Sequence, residues 1–196
     1  STPRPESLVR RAAPGSRHSV IVSDLVLSVR TIDPIEFVDL TELINEQLCR
    51  EEIVNGTVTV FSRHTTAAIK INEAEELLLE DFKHFLNRLC PSEHTYHHND
   101  MSRRKPPIAP DERPNGHSHC MHLLLSTSET IPVIDSRLAL GTWQRVFMVE
   151  LDGPREREVV VRCQGYVPHE LPLVTRRNGH HSALERHGQA FSGDPE

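Results

Sequence analysis

Three histidines stand where chemistry could be done: His64 between two strand-like runs, His98 in the irregular stretch TYHHND, and His119 in the run NGHSH. An imidazole titrates near neutrality and is a frequent metal ligand. Three neutral imidazoles with an open fourth position suit zinc or another first-row metal. The four cysteines, Cys49, Cys90, Cys120 and Cys163, form no CxxC pair that would make metal binding specific. The same residues also have an ordinary reading, with His94, His97 and His98 as a solvated loop and His64 as a turn cap. His84 reads as the boundary residue of a helix, and His180, His181 and His187 as part of a polar tail.

Carboxylates and amides form a second set. Glu73 follows Asn72 at the end of a strand-like run, where side chains commonly project into a cleft. There it could act as general base or orient a ligating imidazole. Glu75, Glu76, Glu80 and Asp81 read instead as the solvated face of a helix. In LGTWQ, Leu140 to Gln144, the lone Trp143 reads as a core anchor with its indole N–H satisfied, and Gln144 as an amide that could hydrogen-bond a heterocycle. Arg155 and Arg157 alternate on one strand face. They could grip a phosphate bidentately or pair at the surface with Glu156 and Glu158.

The elements that must position these groups follow from pattern. The β-branched run from Ser19 to Thr31 predicts a strand. VDLTELINEQLCRE carries Leu40, Leu43, Ile44 and Leu48 at helical spacing, with Asp39 or Thr41 as its cap. Asn55-Gly56 predicts a turn into the strand TVTVFS, and TAAIKI is the next strand. A helix runs from about Ala74 to Leu89, stopped by Cys90-Pro91, with an apolar face that includes Leu78, Phe82 and Leu86. Residues 91–114 are irregular, and so long a loop inside a compact domain is usually functional or disordered. Asn115 caps a short helix bearing His119, and TIPVID, TWQRVFMVEL and EREVVVRCQG are strand-like, the last two joined by Asp152-Gly153-Pro154. Strands in hairpin-like neighbours rather than strict βαβ alternation predict an α+β fold, with two to three helices against a mostly antiparallel sheet.

Bulk properties narrow the class. A chain of 196 residues with 37% hydrophobic residues fits one domain with tails: a flexible arm over 1–18, a domain over 19–167 and a polar tail over 168–196. A net charge of −6 argues against a general nucleic-acid surface. No run of eighteen apolar residues is present to span a membrane. Widely separated cysteines predict reduced, mostly buried thiols and a cytoplasmic protein. Arg4, Arg10, Arg11 and Arg17 give only a faint likeness to an organelle transit segment. No Walker loop, GxGxxG or GxSxG elbow is present.

Taken in order, FSRHTTAAIKINE (Phe61 to Glu73), TYHHN (Thr95 to Asn99), NGHSH (Asn115 to His119), LALGTWQ (Leu138 to Gln144) and ELDGPRER (Glu150 to Arg157) resemble the YjbQ family, whose members are also described as secondary thiamine-phosphate synthases. The likeness runs from Ser19 to Gly165. It implies a compact, β-sandwich-like α+β trimer with a histidine-lined cavity. By position it implies His64, His98 and His119 as metal ligands, with His64, His119 and Glu73 as catalytic groups. Asn72, Thr65, Gln144 and Arg155 become ligand-binding groups, with Arg63 as a further cation. The implied reaction joins a pyrimidine-methyl diphosphate to a thiazole phosphate and releases pyrophosphate. The implied cofactor is a divalent metal, zinc or another first-row ion, with magnesium suited to a diphosphate. The implied partners are a small phosphorylated substrate and two further copies of the chain. A metal-dependent phosphoester or amide hydrolase with Glu73 as base, and a non-catalytic trimeric metabolite-binding protein, are the alternatives. One departure shows: Ser136-Arg137 stands where the family usually has a glycine before the LxLGTWQ run.

Overall fold

The computed structural model describes residues 18–109 and 112–168. The arm before His18 and the tail beyond Pro168, with His180, His181 and His187, lie outside the described residues.

The chain forms strands β1 (His18–Arg30) and β2 (Glu36–Asp39), helix α1 (Thr41–Arg50), then strands β3 (Asn55–Ser62) and β4 (Ala67–Asn72). Helix α2 (Glu76–Leu89), a single 3-10 turn (His97–Asn99) and helix α3 (Gly116–Leu123) follow. Strands β5 (Ser128–Ile134), β6 (Arg137–Leu138), β7 (Arg145–Glu150) and β8 (Glu156–Pro168) complete the fold. One sheet has the order β1-β8-β3-β5-β6 and the other β2-β7-β4, with every paired strand antiparallel. The α+β, sandwich-like expectation holds.

Strand β7 sets the layering. Its side chains alternate between faces, as strand geometry requires. Val146 and Met148 join Val58, Val60, Val159 and Val161 of the large sheet in one core. Phe147 and Val149 turn the other way, against Leu86 of α2 and Met121 of α3. The small sheet is therefore a middle layer, and β7 is buried on both faces. Helix α1 closes the first core with Ile44 and Leu48, its apolar residues at i, i+4 spacing.

Several local expectations change. The residues EFVD, of which only Val38 and Asp39 fell in the segment read as the first helix and its cap, pair with β7 as β2. Asp39 still serves that helix, accepting from the Thr41 N–H at 2.9 Å. Glu75 is not surface decoration, because its two carboxylate oxygens accept from the N–H groups of Leu77 and Leu78 and so cap α2. Asn55-Gly56 opens β3 itself instead of turning into it. Trp143 is 70% exposed. It rides a tight turn in which Gln144 donates its N–H to the Gly141 carbonyl at 3.0 Å, and that turn projects it away from the core. Cys90 and Cys163 are buried as expected, whereas Cys49 and Cys120 are exposed, and all four are free thiols.

The departure at Ser136 has a physical cost. Strands β5 and β6 are joined by Asp135 and Ser136 alone, with Ile134 paired to Arg137 across the turn. Both turn residues have positive φ, 50° and 62°, as a two-residue hairpin turn of this hand demands. A non-glycine residue there is held at a cost of about 1–2 kcal/mol, partly offset because glycine loses more chain entropy on folding. Ser136→Gly is therefore expected to raise stability by about 0.5–1 kcal/mol. Urea unfolding checks this, and a destabilised variant would contradict the strain argument.

Candidate functional site

A cleft of about 400 Å³ opens at one end of the sandwich. The β3–β4 connection supplies Arg63, His64, Thr65 and Thr66 to its lining. The irregular segment supplies His98, Arg104 and Glu112. The start of α3 supplies Asn115 and His119, and the β7–β8 turn with the start of β8 supplies Asp152, Arg155 and Arg157.

Beneath the cleft lies a buried ion pair. Glu150 ends β7, is 0% exposed, and lies on the inward face of the small sheet. Arg157 of β8, 4% exposed, faces it from the large sheet. The guanidinium forks onto the carboxylate, Nε to Oε2 at 2.7 Å and Nη2 to Oε1 at 2.5 Å. Glu150 Oε1 also accepts the N–H groups of Leu151 and Asp152, and Oε2 accepts the Thr31 hydroxyl. Burial pushes the Glu150 carboxyl up, but the Arg157 guanidinium, the Asp152 N–H and the Thr31 hydroxyl outweigh it and hold it below the usual carboxylate range. Arg157 was expected either on a ligand or paired at the surface with Glu156 and Glu158. It does not pair at the surface, because β8 alternates and places Arg157 on the same inward face as Val159 and Val161.

Asp152 organises the rim. Its carboxylate takes Arg155 Nη2 at 2.7 Å and Asn115 Nδ2 at 3.0 Å, with Arg113 Nε at 3.2 Å. Thr31 accepts the Arg155 N–H through Oγ1 at 2.9 Å, tying this turn to the residue after β1. The turn packs against the Asp33–Pro34 backbone, where a Cβ on Gly153 would fall 2.0 Å from the Asp33 carbonyl oxygen. Arg104 pairs with Glu112 at 2.8 Å and Arg63 with Glu158 at 2.6 Å. Each of the four arginines that line the cleft is thus held by a carboxylate: Arg63 by Glu158, Arg104 by Glu112, Arg155 by Asp152 and Arg157 by Glu150.

His64 and His119 are shifted toward the neutral form. His64 Nε2 accepts the Glu158 backbone N–H at 2.7 Å, which fixes the tautomer with the proton on Nδ1. Burial, and then the Arg157 charge, lower the His64 pKa. Burial, and then His98, lower that of His119. The His98 and His119 rings meet edge to face with centroids 4.7 Å apart, and His98 Nε2 lies 3.9 Å from Glu112 Oε1.

The three-histidine metal set is not assembled. His64 Nε2 has its lone pair committed to the Glu158 N–H, and its other nitrogen carries the proton, so the ring has no lone pair to give a cation. Among the described residues, no group of three or more His, Cys, Asp or Glu side chains is placed to hold a metal ion. The residues present do not fit the expected tri-histidine centre.

Of the sequence-based candidates, His64, Thr65, His98, His119 and Arg155 converge on the cleft. Three others fall outside its lining. Asn72 accepts the Glu73 N–H through its own amide oxygen and borders a separate apolar recess beside Phe82 and Phe147. Glu73 therefore sits at the exposed end of β4, and Gln144 accepts the Gly141 N–H within its own turn. Arg104, Glu112 and Asp152 were not singled out. The length of the irregular loop was the signal for the first two, while the turn motif Asp-Gly-Pro hid the third.

A two-sheet α+β frame with a polar arginine–histidine cleft at its end is the class of protein that fold and site define. The chain belongs to the UPF0047 YjbQ-like family, whose pattern matches residues 26–166. It is 40% identical over 139 residues to a UPF0047 protein of Methanothermobacter thermautotrophicus, covering 71% of this chain and 90% of that one. It is 29% identical over 140 residues to the UPF0047 protein YugU of Bacillus subtilis, covering 71% and 97%. A solved YbjQ-like protein of unknown function from Sulfolobus solfataricus superposes with a TM-score of 0.67 at 32% identity, over 75% of this chain and 99% of that one.

These matches correct the functional expectation. The relatives are known as UPF0047 proteins, and the Sulfolobus structure is of a protein of unknown function. None of them carries thiamine-phosphate synthesis to this chain. The thiamine-phosphate synthase reading is therefore withdrawn, and among the described residues no three-histidine metal set stands behind it.

The lowered histidine pKa values fix a pH dependence. A histidine whose folded pKa lies below its unfolded value takes up a proton on unfolding, so stability is retained above about pH 6.5 and falls as pH drops below it. Denaturant unfolding is expected to show lower stability at pH 5.5 than at 7.5. His119→Asn should shallow that slope, and equal stability at the two values would contradict the assignment.

Proposed function

We propose that the cleft binds a small phosphorylated metabolite and moves a proton on it with a neutral imidazole. The observation that carries this is the convergence of Arg63, Arg104, Arg155 and Arg157 on one cleft with two histidines of lowered pKa. Guanidiniums match phosphate oxygens bidentately and stay charged at all relevant pH values. Arg155 is two-thirds covered and anchored by Asp152, so little side-chain freedom remains to be lost on binding. His119 is the proton-transfer group in this reading, because a neutral imidazole can accept a proton at pH 7. His64 donates through Nδ1–H, and Thr65 adds a hydroxyl.

Calorimetric titration of the intact chain with inorganic phosphate tests the anion reading. Saturable binding is expected, weakened at least about tenfold in Arg155→Ala, since a charge-assisted contact is worth roughly 1.5–3 kcal/mol. Absence of saturable binding would sink the proposal.

Assembly and setting belong to the same proposal. The homotrimer implied by family resemblance is supported by Leu77, Phe85 and Leu89 on α2 and Leu123 on α3, all of which are exposed apolar side chains. Native mass measurement is expected near three times 22.3 kDa, and a monomer at micromolar concentration would contradict it. No helix among the described residues is long and apolar enough to cross a membrane. The four free thiols support a reducing, cytoplasmic setting.

A further inference from the structure

The geometry points to Asn115 as the residue that reads a hydrogen-bond donor on the ligand. We propose that the cleft selects phosphate esters bearing a hydroxyl or amine near the phosphate. This rests on the anion reading above.

Asn115 occupies the N-cap position of α3, where an asparagine side chain ordinarily accepts an N–H of its own helix. Here it makes no such bond. The helix is served from elsewhere, because the Gly116 N–H donates to Asn99 Oδ1 at 2.9 Å, seventeen residues away in sequence. The close fit of Gly116 on Tyr96, where a Cβ would lie 2.5 Å from the Tyr96 Cβ, holds those segments together.

The Asn115 amide is instead oriented by Asp152. Nδ2 donates to Asp152 Oδ2 at 3.0 Å. That oxygen also receives Arg155 and belongs to an ion-paired carboxylate, which can only accept. The amide therefore cannot be turned over, and its carbonyl oxygen must lie on the side away from Asp152. Asn115 is 6% exposed and lines the cleft, and no group among the described residues donates to Oδ1. A buried amide oxygen without a donor is costly and rare.

The partner that oxygen calls for is a donor: a hydroxyl or an ammonium or amine N–H. Phosphate oxygens, which only accept when ionised, are repelled by it and attracted by the arginines. Asp152 bonds both Asn115 Nδ2 and the Arg155 guanidinium, so the acceptor and the cation are fixed close together. A ligand meeting both carries its donor within a few bonds of its phosphorus. Glycerol phosphate and O-phosphoethanolamine have this arrangement, and propyl phosphate matches them in size without the donor.

The test is titration of the full chain with inorganic phosphate, propyl phosphate, glycerol 1-phosphate and O-phosphoethanolamine. At least one donor-bearing ester is expected to bind about tenfold or more tightly than propyl phosphate, since a site built around an unpaired acceptor discriminates against an analogue lacking the donor. Asn115→Ala, checked for folding by thermal melting, is expected to lose that preference, read as the ratio of the affinities for the donor-bearing ester and propyl phosphate on the same variant, whatever its absolute affinity for phosphate. If the donor-bearing esters bind no better than propyl phosphate while phosphate binds, the donor assignment is overturned and the anion reading stands. If the preference survives in folded Asn115→Ala, another group reads the donor and the assignment is equally overturned. If nothing binds, both readings fail. Should the variant not fold, the comparison of esters on the intact chain decides.

Discussion

The buried Glu150–Arg157 pair is the constraint on which the rest of the structure depends. Its two members come from different sheets, so the fork between them sets how the ends of the sandwich meet. Two charges out of water are tolerable only when their remaining hydrogen-bonding capacity is filled. Glu150 fills its own with Thr31, Leu151 and Asp152, and Arg157 adds Thr66 at 3.0 Å. Each of those partners starts a segment that reaches the cleft. Leu151 and Asp152 begin the turn that holds Arg155, Thr66 ends the connection bearing His64, and Thr31 receives the Arg155 N–H. The cleft is in this sense the surface of a buried polar knot, and Arg155 and Arg157 are aimed by the buried carboxylates of Asp152 and Glu150.

Why so much of the fold was legible, and parts of the site were not, follows from what periodicity encodes. The runs Val146–Val149 and Val159–Cys163 alternate or run apolar in ways that demand strands, and strands they are. The same alternation held the answer for the ion pair. Glu150 falls on the face of Val146 and Met148, and Arg157 on the face of Val159 and Val161. A charge continuing an apolar face is a sign of a buried partner, but each was judged against its chain neighbours rather than against that face. Trp143 failed for the opposite reason: bulk and apolarity suggest burial, while the turn around it decides direction. His64, His98 and His119 were found because the order of their motifs resembles a family. Their relation to one another depends on the tautomer of His64, which only the Glu158 N–H reveals.

The electrostatic character of the site differs from the one its histidines suggest. A neutral imidazole next to a guanidinium is stabilised as neutral, and burial adds to that. Arg157 thus adds to burial in keeping the His64 ring from becoming positive, with a smaller contribution from Arg63. The counter-charges, Glu112, Asp152 and Glu158, are spent on orienting the arginines. They also oppose the depression of the histidine pKa values without reversing it. The result is a cleft that combines oriented guanidiniums with imidazoles shifted toward the neutral form.

The division of labour between strands and connections has a consequence for how such a protein can change over time. Except for Arg157, His119 and His98 of the 3-10 turn, the cleft lining lies in the joins between elements and at the entry to α3, and connections tolerate insertion and substitution better than the elements they link. The segment from Pro91 to Pro114 is the longest of these and contributes His98, Arg104 and Glu112. Descendants of this chain could therefore trade one ligand for another by drift in that segment alone, while the knot beneath and the doubly buried β7 stay unaltered. Members of one family could in this way share a frame and differ in chemistry.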